Sequence, residues 1–239
     1  MPCEVYAAGR DELLERLGRD FSAGAARGIA GRGFFAVALP GGSVAVNCFP
    51  FLASLPLDWP RIQFFWADER AVAPSDPESN YAVARDLWLG RIAVPSASIH
   101  RMPADRPDLQ GAAVTYAEEL TRVLGPPLRL DFVLLGVGPD GHVASLFPGH
   151  RALTEEREPV TAILDAPKPP PRRLTLTMPA LAGADRVVVV AFGDSKAEAL
   201  HEAINREDSR LPLARLLRRA KRPPLVLADR AAAQLIEPR

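Results

Sequence analysis

A histidine in a glycine-rich loop is the feature of this sequence that points most directly to chemistry. Residues 130–150 read LDFVLLGVGPDGHVASLFPGH, so a short apolar run leads straight into glycines, Asp140 and His142. Glycine permits tight turns and lets a ligand approach the main chain closely. Histidine exchanges a proton near neutral pH. The loop therefore offers a candidate group for acid–base catalysis.

The glycine spacing of this loop also matches the G-x-G-x-x-G pattern of dinucleotide-binding turns. The third glycine, however, is followed by only HVASLF before Pro148-Gly149, which is too short for a helix that holds a pyrophosphate. Pro139 removes one backbone N–H from the loop. The acidic residue expected about 20 positions on, at the end of a second strand, is absent. We interpret the segment as a substrate loop instead.

The rest of the chain must supply the elements that position this loop, and its apolar periodicity predicts alternating helices and strands. We expect helices over 10–27, 44–54, 79–91, 107–124, 194–204, 211–220 and 230–236. We expect strands over 33–40, 61–68, 130–135, 159–164, 172–178, 185–193 and 223–229. This alternation predicts one α/β domain over residues 1–239, with a mainly parallel sheet flanked by helices.

Ligands of such sheets bind outside the carboxyl ends of the strands. Polar or glycine-rich segments follow or overlap five of the predicted strands. They are LPGGS (39–43), WADER (66–70), GVGPDGH (136–142), RRLTLTM (172–178) and FGDSK (192–196). A single groove lined by all five segments is therefore expected.

Composition limits the partners of the protein. The 239 residues include 29 basic and 29 acidic side chains, so no overall field attracts nucleic acid or a membrane, and any anion site must be local. Cys3 and Cys48 cannot form a disulfide framework, which is typical of a reduced cytoplasmic protein. We expect no secretory leader, since no apolar run follows a basic start, and no stretch reaches the roughly 18 apolar residues that span a bilayer. We expect neither a nucleic-acid nor a membrane partner.

Five segments, taken together, resemble 6-phosphogluconolactonases. The resemblance is carried by LPGGS (39–43), FFWADERAVAPSDPESNY (64–81), FVLLGVGPDGHVASLFPG (132–149), PRRLTLTMPAL (171–181) and FGDSKAEAL (192–200). The segments occur in the family's order and span almost the whole chain. The resemblance implies the fold of the ribose-5-phosphate isomerase/glucosamine-6-phosphate deaminase superfamily. It implies hydrolysis of 6-phospho-D-glucono-1,5-lactone, the second step of the oxidative pentose phosphate pathway, without a metal or other cofactor.

The phosphorylated sugar lactone implied by this resemblance needs a phosphate site. Backbone N–H groups and cationic side chains bind phosphate. The residues expected to bind substrate or its phosphate are Gly41, Gly42, Ser43, Asp140, Arg173 and Lys196. Among them, Asp140 either holds the histidine or stabilises its turn.

Ester hydrolysis also needs an activated water and a stabilised oxyanion. We assign His142 as the general base. Asp68 and Arg70 are expected in the same groove, with Arg70 at the oxyanion or the sugar hydroxyls and Asp68 orienting Arg70 or binding hydroxyls. Glu69 points away from the groove if this segment is extended.

Two departures from the family pattern affect the phosphate and groove segments. Val44-Ala45 replaces the usual Thr-Pro, which removes a hydroxyl but no backbone contact. Ala67 replaces a glycine between the tryptophan and the aspartate. Asn80 and Tyr81 are interpreted as helix cap and core.

Other functions remain as alternatives. A glucosamine-6-phosphate deaminase-like isomerase would carry an acidic residue in the stretch where this chain has Ser145-Leu146-Phe147. A non-catalytic sugar-phosphate sensor would need the phosphate pocket without the base. Ser145 lies outside a G-x-S-x-G elbow, and no zinc-binding motif is present. His100 and His201 are interpreted as surface residues. The oligomeric state stays open, a monomer being plausible.

Overall fold

A six-stranded sheet forms the centre of the computed structural model, which describes residues 3–236. In chain order its strands are β1 (Glu4–Ala8), β2 (Phe35–Leu39), β3 (Ile62–Trp66), β5 (Phe132–Gly136), β8 (Arg186–Ala191) and β9 (Leu225–Asp229). They pair in the spatial order β1-β9-β8-β5-β2-β3, and every pair is parallel. The continuous apolar runs of β2, β5 and β8 arise because helices cover both faces of a parallel sheet. The predicted mainly parallel α/β fold is confirmed.

A second, three-stranded antiparallel sheet contains β4 (Asp68–Arg70), β7 (Arg173–Leu176) and β6 (Val160–Ile163), in that order. The strands predicted over 159–164 and 172–178 therefore exist, but they lie outside the parallel sheet. The strand predicted over 61–68 ends at Trp66, and Asp68 already belongs to the second sheet.

Seven α-helices occur in the described part of the chain. They are α1 (Arg10–Arg32), α2 (Gly42–Ala53), α3 (Asn80–Leu87), α4 (Leu109–Leu124), α5 (Met178–Ala182), α6 (Ala197–Asn205) and α7 (Pro212–Arg219). Ser79 caps α3 by accepting a hydrogen bond from the N–H of Ala82, and Asp108 caps α4 through the N–H of Gly111. These side chains fix the helix starts because the first N–H groups of a helix have no partner within it.

Two sequence expectations were wrong at the ends of the chain. β1 was not predicted, because its five residues are only partly buried and pair with β9 alone at the edge of the sheet. The helix predicted over 230–236 is a series of turns. The carboxylate of Asp229 accepts hydrogen bonds from the N–H groups of Ala232 and Gly193, which stabilises turns there instead.

The strand order creates a crevice beside the sheet between β2 and β5. From β2 the chain continues to β3 on one side, whereas from β5 it continues to β8 on the other. The loops after β2 and β5 therefore diverge to opposite sides at their carboxyl ends. Open α/β sheets bind ligands at such switch points.

One continuous hydrophobic cluster fills the space on both sides of the parallel sheet. At its centre the ring of Phe21 packs edge-on against Phe35 and Phe132, with ring centroids 5.2 and 5.3 Å away. None of the helices within residues 3–236 is both long and apolar enough to cross a bilayer.

We expect Phe21→Ala to lower the free energy of unfolding by about 3–5 kcal/mol, because it leaves a cavity where α1 meets the sheet. Urea unfolding with an unchanged m-value measures this loss. Val114→Ala is the control, since Val114 is 59% exposed and its truncation should change stability by less than about 0.5 kcal/mol. A loss at Phe21 no larger than at Val114 would show that this aromatic contact does not anchor α1.

Candidate functional site

A cavity of about 180 Å³ opens at the carboxyl ends of β2 and β5. Eight of the nine predicted site residues line it. They are Gly41, Gly42, Ser43, Asp68, Arg70, His142, Arg173 and Lys196. The ninth, Asp140, is bonded to the histidine. The groove expected from the strand ends is therefore present in the fold.

The imidazole of His142 is held from two sides. Its Nδ1 lies 2.6 Å from Oδ1 of Asp140, and its ring packs against Phe147 with centroids 4.7 Å apart. Gly138 passes directly beneath the ring, and a Cβ there would overlap the imidazole and the Asp140 carboxylate. The glycine at 138 is required by this close approach rather than by a phosphate cradle.

The protonation states of this pair follow from its surroundings. Burial would raise the pKa of Asp140, but hydrogen bonds from His142 and Lys168 outweigh it and lower the pKa to about 2. Burial lowers the pKa of His142 below its usual value, although Asp140 acts in the opposite direction. At neutral pH the aspartate is ionised and the imidazole neutral, so Nδ1 carries the proton and Nε2 bears the lone pair.

Lys168 is a site residue that the sequence analysis missed. Its Nζ lies 3.0 Å from Oδ1 of Asp140 and 3.5 Å from Nδ1 of His142. The lysine sits in the proline-rich loop before β7, far in sequence from the histidine. In the sequence Lys168 is a cation beside prolines, which is typical of a loop in solvent and does not predict a site.

Ser145 is a second residue whose position was not anticipated. Its hydroxyl is fully buried and donates to Oδ2 of Asp68 at 2.6 Å, while its N–H donates to Oγ1 of Thr175 at 3.2 Å. The amide of Asn80 donates to the main-chain oxygen of Asp68 at 2.8 Å. Two separate segments therefore hold Asp68 at the cavity wall, and Thr175 holds one of them in turn.

Alternation along β4 sends neighbouring side chains in opposite directions, as expected for extended chain. Glu69 points away from the cavity and accepts hydrogen bonds from the N–H groups of Asn80 and Tyr81 at the start of α3. Burial raises the pKa of Glu69, and these backbone bonds oppose that effect. Arg70 is oriented by the carbonyl of Glu78, at 2.6 Å, rather than by Asp68.

Arg70 and Arg173 differ in the donors that they can offer to a ligand. Arg173 is buried in the central strand of the small sheet, and its guanidinium already makes four hydrogen bonds. Since a guanidinium has five N–H groups, little of its donor capacity remains. The side chain of Arg70 makes one hydrogen bond within the described residues, to the carbonyl of Glu78. Arg70 is therefore the arginine with more free donors at the cavity.

The other wall is the start of α2. Gly41 is its N-cap and Gly42 has φ of +62°, a left-handed conformation that favours glycine. The first turn contains no acidic residue and no side-chain cap, so its N–H groups line the cavity with no partner among residues 3–236. Lys196 lines the same cavity from the segment after β8, and burial lowers its pKa.

The interpretation of His100 as a surface residue was wrong. Its side chain is buried, stacks on Phe65 at 4.5 Å, and bonds Glu119 and Gln63 through its two ring nitrogens. This network lies behind β3 and away from the cavity.

Comparison with known proteins gives the family. Residues 8–224 match the family described as glucosamine-6-phosphate isomerases/6-phosphogluconolactonase. The chain belongs to this family. A rice (Oryza sativa) relative named probable 6-phosphogluconolactonase 3, chloroplastic is 36% identical over 212 residues, which cover 82% of this chain. The chain spans only 64% of the length of that relative.

Solved structures of the isomerase/lactonase family share the architecture. The 6-phosphogluconolactonase of Trypanosoma cruzi superposes with a TM-score of 0.89 at 25% identity, covering 99% of this chain and 97% of the other. A monomeric glucosamine-6-phosphate deaminase superposes with a TM-score of 0.81 at 22% identity, covering 97% and 99%. The second likeness shows the fold alone.

The family departure at residue 44 changes the lining of the cavity. Val44 is buried in the first turn of α2, and one of its methyl groups would lie 3.1 Å from a Cβ placed on Gly136. An apolar side chain therefore fills the position where the family pattern has a threonine hydroxyl. The main-chain N–H groups of the turn are retained.

We expect the imidazole of His142 to titrate below the usual value of about 6.5 in an NMR pH titration. Asp140→Asn removes a charge that raises the His142 pKa, so the midpoint should move to lower pH. Lys168→Gln removes a charge that lowers it, so the midpoint should move to higher pH. The His201→Asn variant assigns the imidazole signal of His201, so that this signal is not confused with that of His142. Shifts of the opposite sign would show that the two side chains do not act on the imidazole as their positions indicate.

Proposed function

We propose that the protein hydrolyses 6-phospho-D-glucono-1,5-lactone to 6-phospho-D-gluconate, with His142 as general base. The observation that carries the proposal is the orientation of His142 by ionised Asp140, which leaves Nε2 as a proton acceptor on a cavity with excess positive charge. Family membership and the names of the rice and T. cruzi relatives support the same reaction.

The phosphate end of the substrate is assigned to the start of α2. The unpaired N–H groups after Gly41 form an anion site at a helix N-terminus. Lys196 adds a point charge from the neighbouring side of the cavity. Arg173 contributes positive charge but few free donors, because its hydrogen bonds are committed to the loop at 168–170 and to Ser145.

The reaction starts when Nε2 of His142 takes a proton from a water molecule that attacks the lactone carbonyl, C1. The Nδ1–H bond to Asp140 stabilises the imidazolium that forms. The attack places a negative charge on the former carbonyl oxygen. Arg70 lines the cavity and its guanidinium bonds only Glu78 within the described residues, so it donates to this oxyanion.

The tetrahedral intermediate then collapses by breaking the bond between C1 and the ring oxygen. The imidazolium of His142 returns its proton to the ring oxygen, which becomes a hydroxyl of the open-chain acid. Asp68, fixed by Ser145, accepts a hydrogen bond from a sugar hydroxyl. Water and lactone give one hydroxy acid, and the histidine ends as it began.

A deaminase reaction is less well supported by the site. Phe147 is fully buried and packs against the His142 ring in the stretch where the deaminase pattern carries an acidic residue. Binding without turnover does not require a histidine that an aspartate holds in one tautomer, so a sensor is less well supported. Assays with the lactone and with glucosamine 6-phosphate separate these functions.

The assignment of the protein to a reducing, cytoplasmic location remains a proposal supported by Cys48. This thiol is buried inside α2 and forms no disulfide, and burial raises its pKa to about 12. The single-domain organisation of residues 1–239 is likewise supported by the continuous hydrophobic cluster.

We expect His142→Asn to lower kcat for lactone hydrolysis by about 10²–10⁴-fold, because the general base is lost while a polar, uncharged side chain remains. The spontaneous rate of lactone opening is subtracted in each assay. His201→Asn is the matched control and should retain the wild-type rate, since its side chain bonds only the carbonyl of Leu235. Loss of less than tenfold at His142 would remove it from the base role.

Separate replacements of two cations test the orientation of the substrate. Lys196→Gln should raise KM at least tenfold with little change in kcat, because binding of a non-reacting phosphate is lost. Arg70→Gln should lower kcat by roughly 10²–10³-fold, the usual effect of removing an oxyanion donor. Arg61→Gln, an exposed arginine at the start of β3, is the control. The reverse pattern of KM and kcat would place the phosphate at Arg70.

A further inference from the structure

A second cavity, of about 240 Å³, lies at the amino ends of the parallel strands, opposite the candidate active site. It is lined by the end of α1, the segment before β5, Asp185 and Arg222. These residues precede strands β2, β5, β8 and β9, whereas residues of the candidate active site follow β2, β5 and β8. Because each strand has five or six residues at about 3.3 Å each, the two cavities are separated by roughly 16–20 Å.

Positive charge dominates this second cavity. Four arginines and two aspartates line it. The arginines are Arg27, Arg32, Arg129 and Arg222, and the aspartates are Asp131 and Asp185. Since the formal charge of the whole chain is zero, the excess of two positive charges is a local feature.

Two of the arginines are used by the fold. Arg32 pairs with Asp131 at 2.6 Å, and that carboxylate also accepts from the buried N–H of Ala36 at the start of β2. Arg129 pairs with Asp185 at 3.4 Å. These contacts tie the amino ends of neighbouring strands together.

The other two arginines have no such use. No hydrogen bond or ion pair to the side chain of Arg27 or Arg222 occurs within residues 3–236, although both line the cavity. The Nε of Arg32 is also buried without a partner in that part of the chain. Gly31 leaves the space beside α1 open, since a Cβ there would meet nothing within 4 Å.

We propose that this arginine-lined cavity binds a small multivalent phosphate anion, at a site separate from the active site. Guanidinium groups bind phosphate oxygens in a planar, two-pronged geometry, and three chain segments bring four of them to one concavity. The volume is below the roughly 300–1,000 Å³ of pockets for drug-sized ligands, which favours an anion of the size of pyrophosphate over a nucleotide.

Calorimetric titration with inorganic pyrophosphate, at ionic strength held constant with NaCl, tests the proposal. Arg27→Gln/Arg222→Gln should weaken pyrophosphate binding at this site at least tenfold, which corresponds to about 1.4 kcal/mol. Both residues are exposed, so the variant is expected to fold and to keep the wild-type rate of lactone hydrolysis. Arg157→Gln/Arg206→Gln removes the same charge from exposed positions elsewhere and should leave the affinity within about twofold.

A Lys196→Gln variant separates this binding from anion binding in the active site. The pyrophosphate site at the amino edge should persist in that variant and disappear in Arg27→Gln/Arg222→Gln. The proposal is overturned if the wild-type protein binds no pyrophosphate, or if Lys196→Gln alone abolishes binding. Equal weakening in both double-arginine variants would also overturn it, because diffuse surface charge would then explain the affinity.

Discussion

The structure depends on one main-chain residue that joins the two sheets. The N–H of Ala67 donates to the carbonyl of Leu39 in β2 at 2.8 Å, and its carbonyl accepts from the N–H of Leu176 in β7 at 2.8 Å. Residue 67 therefore continues the parallel sheet on one side and begins the antiparallel sheet on the other. Asp68 follows at once, so its carboxylate is placed over the carboxyl edge where β2 and β5 diverge. Because both sheets bond to this residue, a shift of its backbone would move both of them.

The small sheet explains how a shallow crevice becomes a site with fixed charges. β7 brings Arg173 and Thr175 over the loop that holds the histidine, and both contact Ser145. The carbonyls of Pro169 and Pro170 accept from Arg173, so the same arginine fixes the loop that carries Lys168. Arg173 is thus buried as a structural cation, which leaves Arg70 and Lys196 with free donors. The different roles of these cations follow from their hydrogen-bond partners rather than from their charge.

The sequence predicted the parts of the molecule that local pattern determines. Apolar runs of four to six residues identified β2, β5 and β8, and the polar segments after them identified the edge that carries the cavity. The same pattern could not predict that Arg173 lies in the antiparallel sheet, because apolar and polar residues alternate along strands of either sheet. β1 was not predicted because its burial along five residues (two exposed, two half-buried and one buried) shows no alternation. Most resemblance-based site residues do meet in space, yet their assigned roles depend on partners that the sequence could not reveal.

Long-range contacts account for what could not be predicted. Ser145 and Asp68 are 77 residues apart, and Lys168 is 28 residues from Asp140. Neither pair has a spacing that a helix or strand would impose, so both contacts depend on the tertiary fold. The buried carboxylate of Asp68 is tolerated because the hydroxyl of Ser145 donates to it, and the half-buried carboxylate of Asp140 bonds Lys168 and His142. The candidate site is therefore a consequence of tertiary pairing: the backbone supplies the crevice, and distant side chains contact the groups within it.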